Sequence, residues 1–273
     1  MRAGHYENNK RSGDIMIRSS RDIINELIDC VVDFERNPDG SLAFTKEGAH
    51  STPRILFHED ITGREITSKL LEKVKRLPNV KIMERFTMVD IIEDNGRCAG
   101  IIGKHSNGAM TAVYADYTVF ATGGIGGLYK QSTNFPHLTG DALAISIKHG
   151  IELLHIDYIQ IHPTTLYSKK KGRCFLISES VRGEGAILLN KHMQRFVDEL
   201  LPRDVVAQAI QKQMEEDNMP YVWLSMLPIP REEIMNHFPN IYEHCKEEGY
   251  DVTKECIPVV PAQHYFMGGI KVD

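Results

Sequence analysis

Apolar positions along this chain change period twice. Over residues 15–34, Ile23, Ile24, Leu27, Ile28 and Val31 recur at helical spacing with charged residues between them, which predicts an amphipathic helix. The turn sequence Asn37-Pro38-Asp39-Gly40 is expected to stop it. A second helix is predicted over residues 64–77, with Ile66, Leu70, Leu71, Val74 and Leu77 as its stripe. Thr62 and Glu65 stand at capping-box spacing before it. The period then shortens to that of strands. VKIMERFTMVDIIE, CAGIIGK and AMTAVYA are separated by Asp94-Asn95-Gly96 and Ser106-Asn107-Gly108, which predicts a small antiparallel meander. It leads into a buried strand expected over residues 117–121 that ends in Thr122-Gly123-Gly124, and a further helix is expected over residues 140–149.

From about Ile151 the pattern becomes mixed. Ionisable side chains interleave with short strands and turns, followed by a helix near residues 203–216, a strand over 221–225 and two short helical stretches. Strands and helices together predict an α/β (α+β) protein with a second domain inserted after about residue 155.

Composition narrows the classes. The 273 residues are 42% hydrophobic and 25% charged, which is globular composition with enough chain for a sizeable core. Lys+Arg is 32 against Asp+Glu 37, a net charge of -5 that argues against a general nucleic-acid surface. No apolar run reaches the ~18–20 residues of a membrane span, and the polar start MRAGHYENNKRSGD has no signal-peptide core. The five cysteines are scattered without a CxxC pair, so a reducing, cytoplasmic location is expected and a disulfide framework is not. Twelve histidines include no HExxH, which ranks a metal site low.

Candidate chemistry begins at TVFATGGIGG. Glycines after a strand let a backbone approach a ligand closely, although they equally serve a tight turn, and the GxGxxG fingerprint is missing. Asp141 can accept from a ribose hydroxyl or simply cap the helix that follows; spacing alone favours the cap. His162, Ser178, Glu179, Arg182, Arg203 and His264 are the other candidates. Arginine forks bind carboxylates bidentately and imidazoles donate to the same oxygens, so two Arg, two His and a hydroxyl would suit a small dicarboxylate. Each also has a structural reading: Arg182 with Glu184 as an ion pair, Arg203 and Asp204 flanking a helix start after Pro202. Without a GxSxG elbow, Ser178 reads as a hydrogen-bond donor rather than a nucleophile.

Several strings together carry a resemblance. AGHYENN, SRDIINELID, EGAHSTPRILFHEDITGREI, ATGGIGGLY, TGDA, IHPT, RGEGA, PRDVV and VVPAQHYFMGGI resemble the succinate dehydrogenase/fumarate reductase flavoprotein group over essentially the whole chain. Within it, Glu47 and HFPNIYEHCKEEGYDVT are similar to the L-aspartate oxidases. A carboxylate at Glu47 makes physical sense for an amino-acid substrate, because it pairs with an ammonium that succinate lacks.

That resemblance implies a partial FAD-binding domain of glutathione-reductase type over residues 1–155, a capping domain over 156–266 and a return to the FAD domain over 267–273. It implies non-covalent FAD contacted by Thr87, Met88, Gly123, Gly124 and Asp141. Glu47, His162, Ser178 and His264 would bind substrate, Arg203 would also move a proton, and Glu179 and Arg182 would lie behind them. The implied reaction oxidises L-aspartate to iminoaspartate, with oxygen or fumarate as acceptor, and feeds quinolinate and NAD synthesis; quinolinate synthase is the implied partner. A dicarboxylate dehydrogenase and a non-catalytic remnant of the fold are the alternatives. The resemblance also implies an internal piece of a longer flavoprotein, expected alone to hold FAD weakly or not at all.

Overall fold

The computed structural model describes residues 6–45 and 52–272. In chain order the elements are α1 (Lys10–Asp29), α2 (Thr62–Lys75), β1 (Phe86–Asp94), β2 (Arg97–His105), β3 (Met110–Tyr114), α3 (Asp141–Lys148), β4 (Leu153–Leu154), β5 (Ile159–Leu166), α4 (Glu179–Gly183), β6 (Ile187–Leu189), α5 (Arg203–Asp217), β7 (Val222–Ser225), α6 (Arg231–His237), α7 (Pro239–Glu247), β8 (Ile257–Phe266) and β9 (Gly269–Ile270). A 3-10 turn covers Gly126–Leu128. This is the mixed helix and sheet architecture expected. Among the described residues, no helix is long and apolar enough to cross a membrane.

The chain divides into two compact units. One takes the residues up to Val80 with Pro163–Lys169 and Phe175–Pro261; the other takes Lys81–His162, Lys170–Cys174 and the segment from Ala262. Strands β5 and β8 each run from one unit into the other, and they belong to a four-stranded sheet of order β5-β8-β7-β6.

In the first unit the core is built from inward positions of the sheet and the helices laid on it. Leu188, Leu224, Ile257, Ile210, Ile234, Ile241 and Cys245 are buried together. Packing of this kind pushes the Cys245 thiol up to about 12, since burial opposes the thiolate. Helix α7 begins after Phe238, which offers no side-chain cap. Asp60 replaces it from far away in sequence: its carboxylate accepts from the Ile241 amide and the Asn240 side-chain amide, each at 2.7 Å.

Several expectations for this region are corrected. Helix α1 begins five residues earlier than expected, at an Asn9 cap that accepts from the Ser12 amide, and ends at Asp29. The backbone turns left-handed at Val31 (φ 64°) before Asn37-Pro38-Asp39-Gly40 is reached, so that turn closes a separate loop. The capping box before α2 does not form. Thr62 is already helical, its hydroxyl accepts from the His58 amide at 3.1 Å, and Glu65 accepts from the Asp33 amide instead.

In the second unit β1, β2 and β3 form the antiparallel meander expected, paired Thr87↔Lys104 and Gly100↔Tyr114. The strand expected over residues 117–121 is corrected. No ladder forms there among the described residues, and Tyr117 and Val119 are 88% and 86% exposed, because an apolar run becomes a strand only when something pairs with it. Helix α3 packs on β1. Its last turn is fastened by Lys148 on Asp90 and by His149, whose Nε2 lies 2.8 Å from Asp90 and Nδ1 3.2 Å from Glu93.

Hydrogen bonds from Lys148 and His149 hold the Asp90 carboxyl down at about 2, and the same Asp90 and Glu93 contacts raise His149. The imidazolium contribution is therefore complete below the ordinary histidine value of 6.5 and is lost as pH rises through the raised value; that of Asp90 is present above 3.8 and lost as pH falls through about 2. The difference in thermal midpoint between the protein and His149→Gln should thus be largest near the window from 4 to 6.5 and shrink at higher pH. A difference that stays constant across pH would contradict this fastening.

Candidate functional site

The second unit holds a cleft of about 910 Å³, within the size range of small-molecule and cofactor sites. Residues 118–124 line one side of it, together with Leu138, Ala142 and Leu143, and His264 and Phe266 line it from β8. The loop conformation needs its glycines. Gly123 has φ +72°, and a Cβ there would lie 2.9 Å from Leu138 Cδ2; a Cβ on Gly124 would lie 3.1 Å from Phe266 Cβ. Thr118 Oγ1 is buried in the lining with no hydrogen-bond partner.

Gly123 and Gly124 therefore sit where a ligand can approach their backbone. Asp141 does not line the cleft, although its neighbours Ala142 and Leu143 do. The capping reading of Asp141 is corrected: Gly140 is the N-cap in a left-handed conformation, and Asp141 is the first helical residue, accepting from the Thr139 hydroxyl at 2.7 Å. Thr87 and Met88 start β1 opposite Lys104 and Gly103. Thr87 lines a shallow surface recess with Arg85, Lys104, His105 and Ser106 rather than the glycine cleft.

His162 and His264 come together in the same unit, on β5 and β8, with ring centroids 5.1 Å apart. His162 is buried and His264 half-buried. The polar run Ser132-Thr133-Asn134 supports His264 from behind. Thr133 Oγ1 lies 2.7 Å from His264 Nδ1, and the Asn134 side-chain amide donates to the His264 carbonyl at 2.9 Å. The run is itself pinned: the Thr133 amide donates to the Gln263 carbonyl, the Cys174 amide to the Ser132 carbonyl, and Arg173 Nε to the Thr133 carbonyl at 2.5 Å. Nothing in the period or composition of the sequence marks Thr133 and Asn134, because their role depends on a strand more than a hundred residues away.

The first unit holds the other candidates. Ser178 is the N-cap of α4, its Oγ accepting from the Ser180 amide at 3.3 Å. Helix α4 then places Glu179 and Arg182 one turn apart. Pro202 fixes the start of α5, and this sets Arg203 as its first residue. Arg203 reaches Glu179 Oε2 through Nε and Nη2, both at 2.6 Å. Arg182 stands 3.4 Å from Glu179 Oε1 and donates through Nη1 to the Glu199 carbonyl at 2.6 Å. The expected pairing of Arg182 with Glu184 is corrected: Glu184 is the C-cap, past the end of the helix, and Glu179 one turn earlier faces Arg182 instead. Glu47 lies outside the described residues.

Burial makes this cluster electrostatically unusual. The Arg182 side chain is fully buried, and burial above all pulls its pKa down, with the Arg203 charge acting in the same direction. Glu199, also missed at the sequence level, is buried at 2% exposure and accepts from the Leu188 amide at 2.7 Å and from Arg195. Removing Glu179 would strand a buried guanidinium. Glu179→Ala is expected to destabilise by about 3–5 kcal/mol, read as a lower urea midpoint, with a smaller loss for Arg203→Ala because Arg203 is 26% exposed. Equal and small losses would show that the cluster is not held this way.

The sequence relatives and the similar solved structures carry different names. L-aspartate oxidase of Clostridium perfringens (strain 13 / Type A) is 51% identical over 274 residues, which cover all of this chain and 62% of that protein. L-aspartate oxidase of Clostridium acetobutylicum is 47% identical, covering all of this chain and 63% of that protein. The chain thus spans less than two thirds of the length of these relatives. Among solved structures, a quinol–fumarate reductase with menaquinol molecules superposes with a TM-score of 0.84 at 30% identity, covering 92% of this chain and 47% of that one. Mycobacterium smegmatis Sdh1 in complex with UQ1 superposes at 0.79 and 32% identity, covering 100% and 49%. The profile of the FAD binding domain family matches residues 1–273, and the chain belongs to that family.

Proposed function

We propose that this chain is part of a flavin-dependent oxidoreductase that oxidises L-aspartate to iminoaspartate. The observation that carries the reading is the identity of 51% and 47%, over the whole chain, to two L-aspartate oxidases. The residues fit the cofactor of the family. The cleft offers a largely apolar lining, the backbone of Gly123 and Gly124, and the unpartnered Thr118 hydroxyl, which suits a ring system with an apolar face and a polar edge. Gly123 and Gly124 are proposed to hold it there; Asp141, Thr87 and Met88, to which the resemblance gives the same role, lie outside the lining of this cleft.

When bound, FAD would supply the two-electron acceptor for the α-hydrogen as hydride, with one ammonium proton released to solvent as the C=N bond forms. The protein does the rest. Arg203, His162, His264 and Ser178 are proposed to hold the two carboxylates and so orient the α-carbon, an alignment that can account for much of a rate enhancement. Glu47 is proposed to pair with the substrate ammonium, and Glu179 and Arg182 to hold Arg203 in place. In fumarate reduction, a separate reaction in which hydride adds to one alkene carbon, Arg203 would donate the proton to the other. Iminoaspartate would pass to quinolinate synthesis and hence to NAD, with quinolinate synthase as partner and oxygen or fumarate as the final acceptor.

A second reading, a C4-dicarboxylate dehydrogenase or fumarate reductase, is favoured by one observation, the superposition on a quinol–fumarate reductase. Anaerobic titration of the FAD-loaded protein separates the two. L-aspartate is expected to bleach the flavin's visible absorbance and succinate to leave it unchanged, and Glu47→Gln should weaken L-aspartate at least tenfold while sparing fumarate. Bleaching by succinate alone would favour the second reading, and bleaching by neither would contradict both.

A further inference from the structure

The contact between Thr133 and His264 settles more than the position of a ring. A neutral imidazole has one donor and one acceptor nitrogen, and which is which follows from the hydrogen bond the other nitrogen makes. Here Nδ1 faces Thr133 Oγ1 at 2.7 Å. A hydroxyl can donate or accept, so the direction of that bond must come from the rest of the network.

Asn134 supplies it. Its side-chain nitrogen lies 2.9 Å from the His264 carbonyl oxygen, which can only accept, so this end of the amide is the NH2 group and not the oxygen. The same NH2 lies 3.4 Å from Thr133 Oγ1 and acts there as a donor, through a longer and weaker bond. Thr133 Oγ1 therefore accepts from Asn134, and its own proton needs an acceptor. Thr133 is 3% exposed, so water does not provide one. His264 Nδ1 is the remaining partner. Were Nδ1 to carry a proton, the Thr133 hydroxyl would accept twice and its own hydrogen would be buried and unsatisfied, an arrangement that folded proteins avoid.

We propose that Thr133, oriented by Asn134, fixes His264 as the Nε2–H tautomer, so that this cleft-lining histidine meets a ligand as a neutral N–H donor and not as a base. Thr133 is thus a positioning residue that acts through His264. The contacts already described, from the Gln263 and Cys174 backbone and the Arg173 side chain, hold the Ser132-Thr133-Asn134 run in place. Seen from the ligand, the consequence is selectivity for an acceptor, and a carboxylate is the strongest acceptor a metabolite commonly offers. That last step rests on the proposed function; the tautomer does not.

Long-range nitrogen–proton correlation spectra of the histidine rings test it in the intact protein, with the His264 signals assigned by their loss in His264→Gln. The expected pattern has His264 Nε2 in the protonated, pyrrole-like range and Nδ1 in the unprotonated, pyridine-like range at pH 8. Thr133→Val should move the two nitrogen shifts toward each other as the tautomers mix, and Thr133→Ser, which keeps the hydroxyl, should restore their separation. A pattern with the proton on Nδ1, or one that Thr133→Val leaves untouched, would overturn the proposal. A parallel titration with fumarate should show about tenfold weaker binding for Thr133→Val and near-normal binding for Thr133→Ser, the scale of one hydrogen bond to a charged group. Fumarate that fails to bind any form, with the tautomer pattern intact, would count against the dicarboxylate reading and leave the assignment of His264 standing.

Discussion

The interaction on which the candidate site most depends is the grip of one buried carboxylate on two guanidinium groups. Glu179 faces Arg182 at 3.4 Å and Arg203 at 2.6 Å, with Arg182 fully buried. Taking such charges out of water is costly, and the cost is recovered only if partners are held in good geometry. The fold brings the three together by placing Glu179 and Arg182 on one turn of α4 and by starting α5 at Arg203 directly after a proline; Arg203 is hydrogen-bonded closely, whereas Arg182 Nε and Nη2 are buried without a hydrogen-bond partner. These three groups together carry one positive charge more than negative. Two cations on one carboxylate, with Arg203 26% exposed, form a cluster that the proposed function uses to meet an anion.

A second, quite different device serves the cleft. Its lining includes backbone whose left-handed turn at Gly123 favours glycine, and its histidine is backed by hydroxyl and amide groups rather than by charge. Each device belongs to its own unit and favours a different ligand property: charge complementarity favours an anion in general, whereas a ring held in one tautomer favours an oriented acceptor. Neither device supplies redox chemistry, which is what membership of an FAD-binding family adds.

The sequence made local structure legible where period and turn chemistry agreed. The β1–β3 meander follows from alternation punctuated by Asp94-Asn95-Gly96 and Ser106-Asn107-Gly108, and α5 follows from Pro202 and a long polar-apolar repeat. It misled where an outcome depends on a distant partner. Residues 117–121 have strand composition but no ladder, and Thr62 with Glu65 have capping-box spacing but spend their side chains on His58 and Asp33. The same logic applies to the site. Glu179, Arg182 and Arg203 stood out as charged residues near helix starts, yet that they share one carboxylate is set by packing. Thr133, Asn134 and Glu199 carried no sequence signal of their function beyond being polar.

Anion complementarity at these charges is the claim most open to direct measurement. Calorimetric titration of the flavin-loaded protein with fumarate and with its neutral diamide compares ligands of nearly one shape that differ in charge. The account predicts binding of fumarate, weakened as salt rises, and no measurable binding of the diamide. Equal affinity for the two would contradict it, because the guanidinium cluster would then play no part in recognising a ligand.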